Sequence, residues 1–347
     1  MSENHHTPPI ISEEDALRLA QAHYGISGSL TRLPGEIDYN FRIRTKTEAY
    51  LLKISRPGAH LDDLDFQRQM MEWVSQKGET LAAPRILPTQ QGKPYAVHET
   101  ERGPCQVRLL NWIEGRLWSA VNPKTDALRH SLGLAAGKLT QALQGFTHPL
   151  ASRSFDWDLA QAAWTEQHTA LFSGEQLEII MYFQERFRTM QPAYAQLRQG
   201  VIQNDANDNN VVVSEDLTDP KVVAIIDYGD AVHSQLINDV AIALAYAIMD
   251  LPDPLGATLP LVAGYHAEFP LQEAELEALH TLVAMRLVVS VTKSAINRTK
   301  EPENEYLQIS EKPARALLTQ WRAIHPDLAH YAFRSACGYP DHPSYPA

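Results

Sequence analysis

The sequence predicts an α+β protein with two lobes, a small β-rich N-terminal lobe and a larger, mainly helical C-terminal lobe. Between residues 25 and 111, short runs alternate apolar and β-branched residues and are separated by turn residues, which is typical of strands. Beyond residue 112, apolar residues mostly recur at helical spacing. The chain has 347 residues, 44% of them hydrophobic, and is therefore long enough to bury a substantial core.

A tail and a helix are predicted to precede the β-rich lobe, in residues 1–24. The first ten residues are polar or proline-rich and are expected to be loose. Ser12, followed by Asp15 three residues later, forms a capping pattern, and the run after it carries apolar residues at helical spacing. A second loose tail is expected at residues 336–347, where the sequence ends in YPDHPSYPA.

The β-rich lobe is predicted at residues 25–111. Its first three strands are expected in GSLTRLPGE, YNFRIRT and AYLLKIS, because apolar residues alternate there. DDLDFQRQMMEWV returns to helical spacing through Leu64, Met70 and Val74. Strand-like runs follow in ILPTQ, YAVHE and VRLLNWI.

The helical lobe is predicted at residues 112–335. Residues 132–143 and 177–184 each carry one apolar face, and NDVAIALAYAIM is apolar nearly all round, which predicts a buried helix. The runs NNVVV and VVAIID predict two short strands inside this lobe. If those strands pair as a hairpin, residues 210 and 227 lie at the same end of it.

Composition disfavours several classes of protein. The chain has 42 acidic and 30 basic residues, and a net charge of −12 repels nucleic acid and favours a cationic small substrate. No run of about 18 apolar residues and no secretory signal is present, so we expect no membrane association. Cys105 and Cys337 are too few for a disulfide framework or a zinc site and predict reduced thiols in a cytoplasmic protein. The oligomeric state is beyond the sequence.

The strongest chemical signal is the stretch VIQNDANDNNVVV followed by AIIDYGD, which places Asp205, Asn210 and Asp227 around the two short strands. Phosphoryl transfer needs an aligned hydroxyl and neutralised phosphate charge rather than covalent help. A loop aspartate can accept the proton of the hydroxyl, while an asparagine and a second aspartate hold magnesium through oxygen atoms. The alternative is a turn without chemistry, since Asn and Asp favour turns.

These residues resemble the pattern of the aminoglycoside phosphotransferase and choline kinase superfamily, H-[GN]-D-x4-N followed by an apolar strand that ends in I-D. The resemblance implies a bilobal protein-kinase-like fold with a nucleotide in its cleft. It also implies that Asp205 is the catalytic base and that Asn210 and Asp227 bind Mg²⁺. Gln203 departs from the pattern, which has histidine there, but its amide offers the donor and the acceptor that a scaffold role needs.

Further stretches resemble hydroxylysine-kinase-like proteins. They are the turn GEIDYNF, the run FTHPLASRSFDWDL, DYGDAVHS with the later DVAIALAY, and the region of residues 298–313. This resemblance implies a small-molecule kinase that transfers the γ-phosphate of ATP or GTP to an amino acid or amino alcohol. The first acceptor to try is 5-hydroxylysine, and ethanolamine, choline, homoserine and aminoglycosides are alternatives. Asp239 is expected to orient the catalytic loop.

The resemblance also implies which residues bind the nucleotide. A strand lysine of kinases pairs with phosphates and with a helix carboxylate, for which Asp65 fits best and Asp62 and Asp63 are rivals. The turn before YNF has a single glycine, whose neighbouring backbone N–H groups could cradle phosphates. VRLLNWIEG resembles the hinge that contacts a purine. The expected nucleotide-binding residues are therefore Lys53, Asp65, Gly35, Asn40, Leu110 and Trp112.

Four residues are candidates for contact with the acceptor: Asp230, Arg153, Trp157 and Asp158. A tryptophan beside an arginine is also a common packing feature. Gln203 and the single-glycine turn motivate an alternative function, a nucleotide-binding regulatory module of the same fold without turnover. A protein kinase is disfavoured, because H-R-D and A-P-E are absent and NDVAIALAYAIM leaves little room for an activation loop.

Overall fold

The chain divides into two compact units in a computed structural model that describes residues 11–35, 38–77, 82–300 and 311–340. The N-terminal unit comprises Met1–Ser75 and Ala83–Glu114, and the C-terminal unit comprises Gln76–Ala82 and Gly115–Ala347. The division at Glu114 lies a few residues beyond the boundary at residue 111 that the sequence suggested. Three sets of predicted features lie wholly or partly outside the described residues: both tails, residues 36 and 37 of the glycine turn, and the stretch 301–310.

The first helix, α1 (Glu13–Tyr24), packs into the core of the N-terminal unit. Ser12 Oγ accepts from the Asp15 N–H and the Asp15 carboxylate accepts from the Ser12 N–H, so the capping pattern forms a capping box. The Tyr24 hydroxyl donates to the Val107 carbonyl at 2.8 Å, which ties the end of the helix to the sheet. The helix therefore packs with the β-rich lobe.

An antiparallel sheet of six strands forms the rest of that core, in the order β1-β2-β3-β6-β4 with β5 also paired to β6. Its elements are β1 (Ser29–Leu33), β2 (Tyr39–Arg44), β3 (Ala49–Ile54), helix α2 (Leu61–Lys77), β4 (Ile86–Leu87), β5 (Ala96–Thr100) and β6 (Gly103–Asn111). The predicted strands and helix of this lobe are confirmed. Apolar side chains such as Phe41, Leu52 and Val107 are fully buried because alternate residues of each strand point into the core.

The C-terminal unit is mainly helical. Its helices are α3 (Asp126–Leu143), α4 (Gly174–Tyr194), α5 (Ile237–Ala247), α6 (Pro254–Glu268), α7 (Glu273–Lys300), α8 (Glu311–Arg322) and α9 (Pro326–Ala336). Short strands make two small sheets, β10-β9-β7 and β11-β8. They are β7 (Arg116–Leu117), β8 (Gln199–Ile202), β9 (Val211–Val213), β10 (Val222–Ile225) and β11 (Val232–Gln235). The α+β prediction is therefore confirmed.

Two apolar helices form the centre of this unit. Helix α5 is almost entirely buried, as its sequence predicts. The stretch Glu273–Thr299 of α7 is long and apolar enough to cross a membrane by length and composition. However, 89% of its most apolar window is buried inside the protein, which is typical of a core helix.

Candidate active site

The hairpin of β9 and β10 brings Asn210 and Asp227 to one end, as predicted. Val211 pairs with Ile225 and Val213 with Val222, in antiparallel register. The Ile226 N–H then donates to the Asn210 carbonyl at 2.8 Å, so the chain remains paired up to the residue before Asp227.

Asp205 lies on the loop between β8 and β9, and three side chains hold its carboxylate. Asn210 Nδ2 donates to Asp205 Oδ2 at 2.6 Å, and Asn207 Nδ2 donates to the same oxygen at 3.0 Å. On the other oxygen, Arg286 Nη2 donates to Asp205 Oδ1 at 3.0 Å. Asp205 and Asn210 are therefore in direct contact, and the loop presents a fixed carboxylate.

Strained backbone marks both sides of this site. Asn204 has φ = 68° and Asp227 has φ = 59°, in the left-handed region that residues other than glycine rarely adopt. Such residues cost about 1–3 kcal/mol each and persist where neighbouring contacts hold them. Asp239 supplies such contacts, because its carboxylate accepts from the Gln203 N–H at 3.2 Å and the Asn204 N–H at 2.8 Å. Burial raises the pKa of Asp239 to about 6, and these two N–H groups oppose the rise.

Gln203 uses both groups of its side-chain amide. Its Nε2 donates to the Asp227 carbonyl at 2.6 Å and to the Ile226 carbonyl at 3.1 Å. Its Oε1 accepts from the Asp205 N–H at 2.9 Å. The glutamine therefore links the loop of Asp205 to the strand end of Asp227, which is the scaffold task expected for it.

Charge accumulates around Asp205. Burial is the largest influence and raises the pKa of its carboxyl, Arg286 opposes that rise, and Asp230 and Asp227 add to it. The side chain of Asp205 is 19% exposed. Asp230 and Asp227 thus repel the charged form of Asp205 beside the buried guanidinium of Arg286, and a bound cation would relieve that repulsion.

The donor set around this charge suits a divalent metal that shares oxygen ligands with a phosphate. Among the residues that the structure describes, no group of three or more His, Cys, Asp or Glu side chains could hold a metal. Asn210 bonds Asp205 through Nδ2, so its Oδ1 is the atom that could bind a cation together with the exposed carboxylate of Asp227. Mg²⁺ sites in phosphoryl-transfer enzymes commonly use one or two protein oxygens plus the phosphates of the substrate. The residues present therefore fit such a metal.

Arg153 and Asp158 have structural contacts. Arg153 Nη2 donates to the carbonyls of Gly229 and Ala231, at 2.7 and 3.0 Å, and so holds the backbone on either side of Asp230. Asp158 is 2% exposed and accepts from Ser234 Oγ at 2.6 Å while it caps the 3-10 helix that follows it. Their contact with an acceptor stays a prediction.

Arg286 was missed at the sequence level, although a signal exists. The guanidinium lies over the rings of Trp157 and Tyr246, with its Cζ 4.6 and 5.4 Å from the ring centroids. It is an arginine inside the apolar run LVAMRLVVSV of α7, and arginine is rarely buried without a partner. That exception to the apolar pattern is what could have identified it.

In the N-terminal unit, Lys53 lies in a row of polar side chains across the sheet. It pairs with Asn40 of β2 on one side and with Arg108 of β6 on the other. Arg108 Nη2 donates to Asp38 Oδ2 at 2.6 Å, and Lys53 Nζ lies 3.7 Å from the same oxygen. Asp38 and Arg108 were not among the predicted residues.

The other predicted nucleotide-binding residues lie in the same unit. Asn40 Nδ2 donates to the Pro34 carbonyl at 3.2 Å, and a Cβ at Gly35 would lie 2.5 Å from the backbone carbonyl oxygen of Asp38, so position 35 requires glycine. Leu110 is buried in β6, and Trp112 follows that strand under the guanidinium of Arg42, 4.3 Å from its ring centroid. These positions are compatible with the predicted roles and do not test them.

Asp65 lies in the first turns of α2. Its carboxylate accepts from Arg68 Nη2 and Gln69 Nε2, each at 2.6 Å. Its pairing with Lys53 stays a prediction.

Known proteins resemble this chain over most of its length. The sequence model of the phosphotransferase enzyme family, APH, matches residues 29–276. The hydroxylysine kinase of Danio rerio is 28% identical over 345 residues, which cover 94% of this chain and 96% of that protein. The homoserine kinase of Agrobacterium fabrum is 28% identical over 280 residues, which cover 78% of this chain and 81% of that protein.

A solved structure shares the fold. The amicoumacin kinase hAmiN, in complex with AMP-PNP, Ca²⁺ and Ami, has a TM-score of 0.66 to this chain at 16% identity. The match covers 90% of this chain and 94% of that one. At this identity the likeness concerns the fold alone.

The family match spans well over half of the chain and contains Lys53, Asp205, Asn210 and Asp227. Asp205 contacts Asn210, and the paired strands bring Asn210 and Asp227 to one end of the hairpin. The chain therefore belongs to the phosphotransferase enzyme family and is a small-molecule kinase that phosphorylates a hydroxyl group.

Proposed function

We propose that this kinase transfers the γ-phosphate of ATP or GTP to the hydroxyl of an amino acid or amino alcohol. The observation that carries the proposal is the convergence of Asp205, Asn210 and Asp227 at one end of the β9–β10 hairpin. Phosphoryl transfer depends on positioning and charge neutralisation more than on covalent chemistry, and this hairpin end supplies both.

Asn210 and Asp227 would hold Mg²⁺. When bound, the metal neutralises charge on the transferring phosphate. Lys53 would contact the phosphates of the nucleotide, and the single-glycine turn at Gly35 precedes β2, the strand that pairs with the strand of Lys53. The presence of AMP-PNP and Ca²⁺ in the amicoumacin kinase structure supports a nucleotide and a divalent cation here.

Asp205 would orient the acceptor hydroxyl and take its proton. The bond between the acceptor oxygen and the γ-phosphorus forms while the bond to the oxygen that bridges the β- and γ-phosphates breaks. The nucleoside diphosphate then leaves. Asn207, Asn210 and Arg286 keep the Asp205 carboxylate in place, so little reorganisation is needed at the moment of reaction.

We propose 5-hydroxylysine as the acceptor. Two observations support it: the similarity to hydroxylysine kinases extends over nearly the whole chain, and the net charge of −12 favours an acceptor that carries an amine. Homoserine is the first alternative because of the likeness to homoserine kinases. Ethanolamine, choline and aminoglycosides complete the panel.

The test is nucleotide turnover by the purified protein over this panel, with ATP and with GTP in parallel. We expect one acceptor to stimulate formation of nucleoside diphosphate and to yield a phosphorylated product by mass spectrometry. Nucleotide binding without turnover on any member would instead favour the regulatory module. That alternative was motivated by Gln203 and by the single-glycine turn, and the hydrogen bonds of Gln203 to Asp205 and Asp227 argue against the first of these two grounds.

A further inference from the structure

Arg286 is an arginine buried in the middle of the apolar helix α7. Its side chain is 2% exposed, and an unpaired buried charge would be strongly destabilising. The contacts of Arg286 therefore indicate its role in the protein. The model of the family matches residues 29–276 and so does not include residue 286.

The contacts of Arg286 orient its guanidinium toward Asp205. Nη1 donates to the Trp157 carbonyl at 3.3 Å, and the aromatic rings of Trp157 and Tyr246 lie against the planar group. Nη2 donates to Asp205 Oδ1 at 3.0 Å. A planar guanidinium stacked on aromatic rings is held in one orientation, which a lysine ammonium would not be.

The two oxygens of Asp205 are used unequally. Oδ2 accepts from both Asn207 and Asn210, whereas Oδ1 accepts from Arg286 among the described residues. A carboxylate oxygen can accept about two hydrogen bonds. Oδ1 therefore has capacity for one more donor, and an acceptor hydroxyl is such a donor.

We propose that Arg286 is a positioning residue that fixes Asp205 Oδ1 as the oxygen that receives the acceptor hydroxyl. The two asparagines hold Oδ2, Arg286 holds Oδ1, and together they fix the rotation of the carboxylate about its χ2 angle. The inference rests on the proposed function, in which Asp205 is the base.

The experiment compares Arg286→Met and Arg286→Lys with wild type in acceptor-dependent turnover and in slow nucleotide hydrolysis, where water replaces the acceptor. We expect Arg286→Met to lower kcat in both assays by about 100-fold, since a misplacement of about 1 Å can cost that much. The KM values for nucleotide and acceptor should change less than threefold. Arg286→Lys should recover part of kcat, because it keeps the charge and loses the stacked, forked geometry.

A matched control separates positioning from loss of a buried ion pair on the same helix. Arg198 donates to Glu275 of α7 at 2.6 Å, and Glu275 is fully buried. Arg198→Met should lower the unfolding temperature, whereas kcat at a temperature where the protein is folded should stay within threefold of wild type. Equal losses of kcat in Arg198→Met and Arg286→Met would overturn the proposal.

A double-mutant cycle with Asp205→Asn gives the second readout. If Arg286 acts through Asp205, Arg286→Met should lower the residual kcat of Asp205→Asn by less than threefold. A drop as large as in the wild-type background would show independent action and refute the inference. Should Arg286→Met not fold, Arg286→Lys is carried through the same cycle with the same criteria.

The two levels of failure are distinguishable. Wild-type kcat in Asp205→Asn would refute the proposed function itself. A large loss in Asp205→Asn with near-wild-type kcat in both Arg286 variants would refute only the positioning role.

Discussion

Gln203 donates its side-chain N–H to the carbonyl of Asp227 at 2.6 Å and accepts the backbone N–H of Asp205 on the same amide. One uncharged side chain thus couples the predicted base to the predicted metal ligand. The coupling does not require a group that titrates near neutral pH.

Replacement of Gln203 tests that coupling. Gln203→Ala leaves the Asp205 N–H and the Asp227 carbonyl without these partners, and a buried polar group that loses its partner costs about 1–3 kcal/mol. We expect a matching fall in the free energy of unfolding and a 10- to 100-fold fall in kcat. Gln203→His restores one donor and one acceptor and should keep kcat within about tenfold of wild type. Chemical denaturation measures the free energy of unfolding, and steady-state kinetics measures kcat. Equal kcat in Gln203→Ala and Gln203→His would contradict the coupling.

The hairpin and the loop of Asp205 could be predicted because their signals are local. The run NNVVV and the run VVAIID each favour strands, and the turn residues between them leave antiparallel pairing as the simplest arrangement. Capping by Ser12 and burial of α5 were predictable for the same reason. In each case the residues that determine the structure lie close together in the sequence, within one helix or two neighbouring strands.

The remaining features depend on contacts between distant parts of the chain. Arg286 is 81 residues from Asp205, and Arg108 is 70 residues from Asp38. Periodicity shows which face of an element is buried, but it does not show which polar group meets that face. The pairing of β11 with β8 and the 3-10 helix Leu159–Leu171 escaped prediction likewise, since each depends on packing against elements elsewhere in the unit.

The role of Asp205 predicts a selective loss of turnover. Asp205→Asn keeps the size of the side chain and removes its ability to take a proton, so kcat should fall about 10²- to 10⁴-fold. The dissociation constant of the nucleotide should change little, because Asp205 acts on the acceptor. Steady-state kinetics and calorimetric titration measure the two effects.

A control for that variant is Asp219→Asn, at the exposed turn at the other end of the same hairpin. It should leave kcat within threefold of wild type. Comparable losses in the two variants would point to disruption of the hairpin rather than to removal of a base.

The role of Asp227 predicts a loss of metal-dependent binding. Asp227→Ala removes a carboxylate from the proposed Mg²⁺ site, so Mg²⁺ should no longer strengthen nucleotide binding. The affinity measured without metal should be unchanged or slightly higher, since a negative charge near the phosphates is gone. Titration with and without Mg²⁺ measures this, and a wild-type metal effect would exclude Asp227 as a ligand.

The pair of Arg108 and Asp38 predicts a large effect on stability. Arg108 is 2% and Asp38 12% exposed, so Asp38→Ala leaves a buried guanidinium without its carboxylate. Removal of one partner from a buried pair costs about 3–5 kcal/mol. Glu72→Ala, which removes an exposed partner of Arg68, should cost at most about 1 kcal/mol. Equal effects in denaturant unfolding would show that burial does not strengthen the Arg108 pair.

His280 predicts a pH dependence of stability. It stacks on Trp321, with 5.1 Å between ring centroids, and burial lowers its pKa to about 4, whereas an unfolded histidine titrates near 6.5. Between these values the unfolded chain binds a proton that the folded chain does not, so the free energy of unfolding falls as the pH falls. The stability that the uncharged His280 provides is fully present above pH 6.5 and is lost by about pH 4. The free energy of unfolding should fall by roughly 2–4 kcal/mol over this range.

His280→Phe keeps an aromatic ring against Trp321 and removes the titrating group. The free energy of unfolding of His280→Phe minus that of wild type should therefore be larger at pH 4 than at pH 7, by roughly 2–4 kcal/mol. His60→Phe, at an exposed position, is the control and should leave the pH dependence of the free energy of unfolding unchanged. Urea unfolding across this pH range measures the difference, and parallel pH profiles for wild type and His280→Phe would mean that another group carries the acid sensitivity.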